Sequence, residues 1–269
     1  MDKPFDLAQA ITSIRRFLSG YLDRSGLGGY VLGLSGGVDS ALAAALAAAA
    51  IGPKKVLAVL MPYRTSSADS RSDGLRLAAQ LSLPTRLIDI SPMIDAYFPV
   101  IDASNRVRAG NKMARERMAI LFDIAHETGF LVLGTGNRTE ICLGYTTWHG
   151  DSACSVNPIG ELYKSEVRQL SRLLEIPDAI IDKPPTADLW ADQTDEGEIG
   201  VTYDALDAIL RRIVDDGVTS MAALERDGHD PVAVSRVVSL MNRNAFKRAL
   251  PAVAPLGRRA IPQYVQLDA

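Results

Sequence analysis

The 269-residue chain has only two cysteines, Cys142 and Cys154, and they are not in Cys-x-x-Cys spacing. That excludes a disulfide framework and a four-thiolate zinc site, and it fits a reducing compartment. Basic side chains are not in excess: 29 Lys and Arg stand against 32 Asp and Glu, a formal charge of −3. A protein that neutralises a phosphate backbone needs the opposite balance, so nucleic acid is not expected as a partner. The longest apolar stretch, Ala41 to Ile51, is too short to span a bilayer, and no membrane partner is expected. Met1 to Asp6 show no basic segment followed by an apolar run, so no secretory signal is read and a cytoplasmic location is expected. Internal repeats are lacking, as is the GxxxxGK[ST] phosphate motif. What is present is ordinary globular composition, 47% apolar and 23% charged, enough for a single domain over residues 1–269.

Short apolar, often β-branched runs recur at Tyr30–Leu34, Lys55–Met61, Thr85–Ile90 and Phe130–Thr135, separated by segments long enough for helices. This alternation predicts an α/β fold with a doubly wound, mainly parallel sheet and helices on both faces. Helical spacing puts Met118, Leu121, Phe122 and Ala125 on one core-facing stripe, and Leu206, Ile209, Leu210 and Ile213 on another. Two stretches do not read as ordinary connectors. Tyr63 to Ser70 follows the second strand, is rich in hydroxyls and carries Arg64 at a strand end where ligands bind. Asp182 to Gly200 holds Pro184, Pro185 and the acids Asp192, Asp195, Glu196 and Glu198 without sustained periodicity; a loop of that length is expected to be a lid or disordered.

The sharpest local signal is Leu34-Ser35-Gly36-Gly37-Val38-Asp39-Ser40, between the first strand and a helix beginning near Ala41. Gly36 and Gly37 allow a tight turn and close approach of an anion, Ser35 and Ser40 add hydroxyls, and the helix N-terminus adds unpaired N–H groups. Asp39 would repel a bare phosphate. It makes sense as a ligand of a divalent cation, Mg²⁺, bridging to phosphate oxygens, which implies a metal-bound polyphosphate. The plainer alternative is a strand-to-helix turn capped by Asp39 and Ser40.

The loop closely resembles the SGGxDS pyrophosphate loop of the N-type ATP pyrophosphatases, which adenylate a substrate and release pyrophosphate. Further strings resemble one branch of that group, the short ammonia-dependent NAD synthetases: Asn111 to Met118, Val132 to Glu140, Asn157 to Lys164, Lys183 to Trp190 and Gln193 to Glu196. The resemblance implies the adenine nucleotide alpha hydrolase-like fold. It implies that Ser35, Gly36, Gly37, Val38, Asp39, Ser40, Arg64, Thr135, Lys164 and Thr186 contact ATP, with Asp39 and Glu140 as the Mg²⁺ carboxylates. Asp39 and Glu140 each follow a strand, so both emerge on one carboxyl edge of a parallel sheet. By position alone, Glu140 also suits a first-turn helix acid and Lys164 a solvated helix residue.

The same resemblance places Asp151 near incoming ammonia, with a turn residue after Gly150 as the alternative, and makes Asp151 and Lys164 the catalytic pair. Arg115, Trp148, Ser155, Phe246 and Lys247 fall at positions that contact deamido-NAD. Much of the family has a lysine at Trp148, an aspartate at Ser155 and a His-Lys pair at Phe246-Lys247; Trp148 can stack on a pyridine or adenine ring in place of a point charge. These departures leave a related ligase for a different carboxylate as the second reading. The implied reaction is amidation of deamido-NAD by ammonia at the expense of ATP, in a homodimer with the dinucleotide across the interface. No glutaminase domain is expected, so ammonia arrives free or from another protein.

Overall fold

A computed structural model of the chain describes residues 5–190, 193–254 and 256. The elements follow in the order α1 (Leu7–Ser25), β1 (Gly29–Gly33), α2 (Val38–Ile51), β2 (Val56–Leu60), α3 (Ala68–Gln80), β3 (Thr85–Leu87), α4 (Ser91–Tyr97), α5 (Arg106–Thr128), β4 (Phe130–Val132) and α6 (Arg138–Leu143). Six more α-helices follow among the described residues: α7 (Lys164–Leu173), α8 (Asp178–Ile181), α9 (Asp195–Ile199), α10 (Tyr203–Leu210), α11 (Met221–Arg226) and α12 (Pro231–Arg243).

The four strands pair in the order β3-β2-β1-β4, all parallel. Alternation along each strand divides the core. Tyr30, Leu32, Val56 and Ala58 face one way, onto α1, α2 and α7, while Val31, Leu57 and Val59 face the other, onto α4 and α5. Helix α2 is mostly alanine, a strong helix former whose small side chain lets it sit close between the sheet and its covering helices; Ala41 to Ala47 are all buried. The chain runs outward from β1 through β2 to β3, then crosses back through α4 and α5 to add β4 on the far side of β1. The reversal lies between β1 and β4, and the crevice at such a switch point opens at the carboxyl ends of those two strands.

The strands are shorter than their apolar runs. Beyond β3 the chain stays extended, with the Ile88 and Ile90 N–H groups donating to Leu60 and Pro62 carbonyls at 2.9 and 3.0 Å. Leu206, Ile209 and Leu210 do form a buried stripe, in a third core with Leu143, Tyr163, Tyr203 and Val237. The stripe on α5 is rotated from expectation: Met113, Met118, Leu121, Ile124 and Ala125 are buried, whereas Phe122 is 43% exposed. The helix presents Ile124 to the sheet, which leaves Phe122 at the margin.

Leu46 is fully buried in the first core. Leu46→Ala is expected to cost about 2–5 kcal/mol in urea unfolding, since the alanine-rich surroundings have little freedom to collapse onto the cavity; a loss under about 1 kcal/mol would mean that this layer is loosely packed.

Candidate active site

The loop after β1 is fixed from inside. The Ser35 N–H donates to Ser40 Oγ at 3.2 Å, the Ser40 hydroxyl donates to the Gly37 carbonyl at 3.0 Å, and the Gly37 N–H donates to Ser35 Oγ at 3.3 Å. Ser40 is buried and spent on this bracing, so it does not line the cleft, unlike the other loop residues expected there. Gly36 has φ +80°, and a Cβ would fall 2.1 Å from the Ser70 carbonyl oxygen. Only glycine fits. Gly37 precedes helix α2 at its N-cap position and supplies no side-chain cap, so the first-turn N–H groups are directed to whatever lies over the loop.

Asp39 sits in that first turn. Its Oδ2 accepts from Lys164 Nζ at 2.5 Å and its Oδ1 from Asn137 Nδ2 at 2.8 Å. Asn137, fully buried, caps α6 by accepting the Glu140 N–H at 3.0 Å, and Glu140 Oε2 accepts the Asn137 N–H in return at 3.1 Å. The other oxygen of Glu140 lies 3.7 Å from Lys164 Nζ. Glu140 is therefore both a first-turn capping acid and part of the charged cluster. Lys164 is only 2% exposed, not a solvated helix residue; its N–H donates to Thr139 Oγ1 at 3.0 Å, and Thr139 in turn donates to Asp207 of α10.

A third acid joins them. Asp195, buried, accepts from the Tyr203 hydroxyl at 3.1 Å, and Lys164 Nζ stands 4.9 Å over the Tyr203 ring. Burial works against the Lys164 charge, but Asp39 and Glu140 outweigh it and hold its pKa above the ordinary lysine value. Burial, with the like charge of Asp39, pushes the Glu140 carboxyl up to about 8; burial also raises Asp195. Three carboxylates thus share one ammonium. No group of three His, Cys, Asp or Glu is arranged to hold a metal by itself among the described residues. Asp39 and Glu140 nonetheless fit a hard divalent cation: both are oxygen donors facing one space, such an ion would displace the proton that burial keeps on Glu140, and it takes its remaining oxygens from phosphate and water.

These groups floor a cleft of about 660 Å³, which falls within the range of small-molecule sites. Thr135 and Thr186 line it, as expected. Arg64 does not: it is 55% exposed and paired with Asp95, its Nε donating to the Tyr63 hydroxyl at 3.1 Å. The acid draws it away from the strand end. The stretch from Asp182 contributes Lys183 to Trp190 to the wall, tied down by Lys183 Nζ on Asp73 at 2.7 Å and by the Ser67 N–H on Asp188 at 3.0 Å. Within this stretch Asp192 lies outside the described residues.

At the other end of the cleft, Asp151 accepts from the Thr146 hydroxyl at 2.5 Å and the Thr147 N–H at 2.8 Å, closing its own turn while lining the cavity. Lys247 also lines it, donating to the Gly144 and Thr146 carbonyls at 2.8 and 2.7 Å. Arg115, Trp148, Ser155 and Phe246 do not line the cleft. Arg115 donates to the Trp148 carbonyl at 3.2 Å, and the Trp148 ring stacks on His149 at 4.3 Å and meets Phe246 edge-on at 5.2 Å, forming a partly exposed aromatic patch. Ser155 accepts the Val132 N–H at 3.3 Å and belongs to the sheet edge. Arg117, not singled out from sequence, lines the cleft and donates to the Met61 carbonyl at 3.0 Å. Asn137 and Lys183 are legible only as members of strings and Asp195 only as one acid of a cluster, with nothing local to mark their partners.

The NAD synthase family profile matches residues 10–251. The NH(3)-dependent NAD(+) synthetase of Fusobacterium nucleatum subsp. nucleatum is 44% identical over 253 residues, 94% of this chain and 98% of that protein. Among solved structures, the NH3-dependent NAD synthetase of Campylobacter jejuni superposes with a TM-score of 0.79 at 34% identity, over 93% of this chain and 100% of that one. The NMN synthetase of Francisella tularensis superposes with 0.82 at 33%, over 94% and 99%.

Glu140 holds a proton in the folded state up to about pH 8, where an unfolded carboxyl releases it near its ordinary 4.5. The folded state then binds more protons across that window, so its stability falls as pH rises through it, by up to about 1.4 kcal/mol per pH unit. Urea unfolding across this window is expected to show the decline in the metal-free wild type, a flatter profile in Glu140→Gln, and flattening of the wild type by Mg²⁺. Parallel profiles for the two proteins would show that Glu140 is not the titrating group.

Proposed function

Because the chain belongs to the NAD synthase family, we propose that it is an ATP-dependent ligase that amidates deamido-NAD with ammonia, giving NAD, AMP and pyrophosphate. The observation that carries this reading is one cleft in which a phosphate-type loop, the Asp39–Lys164–Glu140 cluster and Asp151 all face the same space. A carboxylate is a poor acceptor for nitrogen until one oxygen becomes part of a leaving group, and AMP provides it.

In the first step the nicotinate carboxylate oxygen attacks the α-phosphorus of ATP, and the bond to the bridging oxygen of the β-phosphate breaks. The α2 N-terminus, Ser35 and the N–H groups of the glycine turn hold the departing pyrophosphate. Lys164, fixed by Asp39 and by the packing of Tyr203, offers its ammonium to the growing negative charge without moving. Asp39 and Glu140 would hold Mg²⁺, which neutralises phosphate charge when bound. In the second step ammonia attacks the acyl carbon, the bond to AMP breaks, and Asp151 takes the proton that the nitrogen sheds. The aromatic patch of Trp148 and Phe246, with Arg115 beside it, lies outside the cleft. It suits stacking on a ring of the dinucleotide, and together with the exposed Phe122 on α5 it supports a two-fold dimer. No helix of the described residues is long and apolar enough to cross a membrane, and the low cysteine content supports a cytoplasmic location.

The purified protein is expected to convert deamido-NAD, ATP, Mg²⁺ and ammonium to equimolar NAD, AMP and pyrophosphate; turnover with other acids and none with deamido-NAD would refute the assignment. Asp39→Ala and Glu140→Ala are each expected to abolish ATP–pyrophosphate exchange. Asp151→Ala is expected to retain exchange and slow NAD formation by about 10²–10⁴-fold; equal loss of both would remove Asp151 from the ammonia step.

A further inference from the structure

Helices α6 and α7 begin side by side, and each carries one member of the charged cluster: Glu140 lies in the first turn of α6, and Lys164 opens α7. Two helix N-termini placed together repel, since each carries roughly half a positive charge, so the joint has to be held. Part of the hold is internal. The Arg138 N–H donates to the Leu162 carbonyl at 2.8 Å, and the Lys164 N–H donates to Thr139 Oγ1 at 3.0 Å. Asp207 of α10 accepts from both the Thr139 hydroxyl and the Ser165 N–H. The remaining element of the joint is Tyr163, the residue just before Lys164, which is buried in the third core.

Helix α10 does not simply end. It widens over Arg211–Asp215, where the Arg211 carbonyl accepts the Asp216 N–H at 3.0 Å, five residues on instead of four. Such π-type turns are rare and occur frequently at functional positions. This one reaches both helix starts. Asp215 accepts from Arg138, the first residue of α6, at 2.6 Å, and the Arg138 guanidinium lies 5.3 Å from the centre of the Tyr163 ring. Arg211 donates to Glu166 of α7 at 2.6 Å, and its guanidinium lies 4.3 Å from the same ring. The other oxygen of Glu166 accepts the Tyr163 N–H at 2.8 Å. Contacts therefore run from Asp215 through Arg138, Tyr163 and Arg211 to Glu166, with one acid–arginine pair on each side of a single aromatic ring. The Tyr163 hydroxyl has no hydrogen-bond partner among the described residues, so it is the ring that is gripped. None of these five residues lines the cleft.

We propose that the wide turn after α10, acting on Tyr163 through Arg138 and Arg211, is a positioning device for adenylation: it fixes the start of α7 against that of α6 and so sets where the Lys164 ammonium stands relative to Glu140. This rests on the amidation reading above and adds the residues that aim its cation. An ammonium stabilises charge developing on phosphate only from the right place, and a shift of about 1 Å can cost about 10²-fold in rate. Glu166 is buried, so its pair with Arg211 is a fixed link and not a loose surface contact.

The test measures deamido-NAD-dependent ATP–pyrophosphate exchange, without ammonium, in wild type, Arg211→Gln, Tyr163→Leu, Tyr163→Phe and Leu46→Ala, each well below its own thermal midpoint. Arg211→Gln and Tyr163→Leu are expected to lower the kcat of exchange about tenfold or more with the KM for deamido-NAD held within about twofold, because the interaction lost is one made in the transition state. Tyr163→Phe keeps the ring and is expected to stay within about twofold of wild type. Leu46→Ala destabilises the fold away from this joint and is expected to keep its kcat. Arg211→Lys retains a cation for Glu166 without the planar group against the ring; it serves if Arg211→Gln does not fold, with a loss of about threefold or more expected. Exchange unchanged in the folded Arg211 and Tyr163→Leu variants, a loss in Tyr163→Phe as large as that in Tyr163→Leu, or an equal loss in Leu46→Ala would each overturn the proposal. Wild type that shows no exchange with deamido-NAD would instead sink the amidation reading on which it rests.

Discussion

The site depends on keeping one ammonium charged where water scarcely reaches it. Lys164 is held by Asp39 at 2.5 Å and faced by Glu140 at 3.7 Å, while Asp195 acts through Tyr203 beneath it. A buried lysine alone would lose its proton, and buried carboxylates alone would take protons up; together they keep the cation, while the crowding still drives Glu140 to hold a proton. That crowding suits a metal-bound polyphosphate, whose cation would displace the Glu140 proton and be shared by the two carboxylates. The cluster is therefore stable enough to exist empty and better balanced when loaded.

The fold brings these charges together by topology. Asp39 follows β1 and Lys164 opens α7, 125 positions later. They meet because β4 is added beside β1 after the chain reverses direction, which puts the loops after both strands at one crevice. The long helical segment from α9 to α12 then closes the cluster from above, with Asp207 anchoring the starts of α6 and α7 and Arg236 and Leu240 lining the cleft.

The loop from Ser35 to Ser40 was readable because its chemistry is local: two glycines, a strand before and a helix after. The parallel sheet was readable because doubly buried strands are written as continuous apolar runs. Other features depend on contacts between distant positions. Nothing around Arg64 announces Asp95, so its pull away from the cleft is invisible in the sequence. Asn137 looks like a helix cap and is one, yet its amide also fixes Asp39 at a separation of 98 residues. Lys183 reads as a loop cation until α3 supplies the buried Asp73. Ser40 shows the converse: its hydroxyl suits a phosphate, and the tight turn around Gly36 uses it internally.

The central claim is that the acid substrate is activated through its own oxygen at the α-phosphorus. Deamido-NAD labelled with ¹⁸O in the nicotinate carboxylate tests it most directly, with mass analysis of the nucleotide released on amidation. The account predicts AMP carrying one ¹⁸O, with the second retained in the amide of NAD. Unlabelled AMP, or ADP with the label in inorganic phosphate, would contradict it.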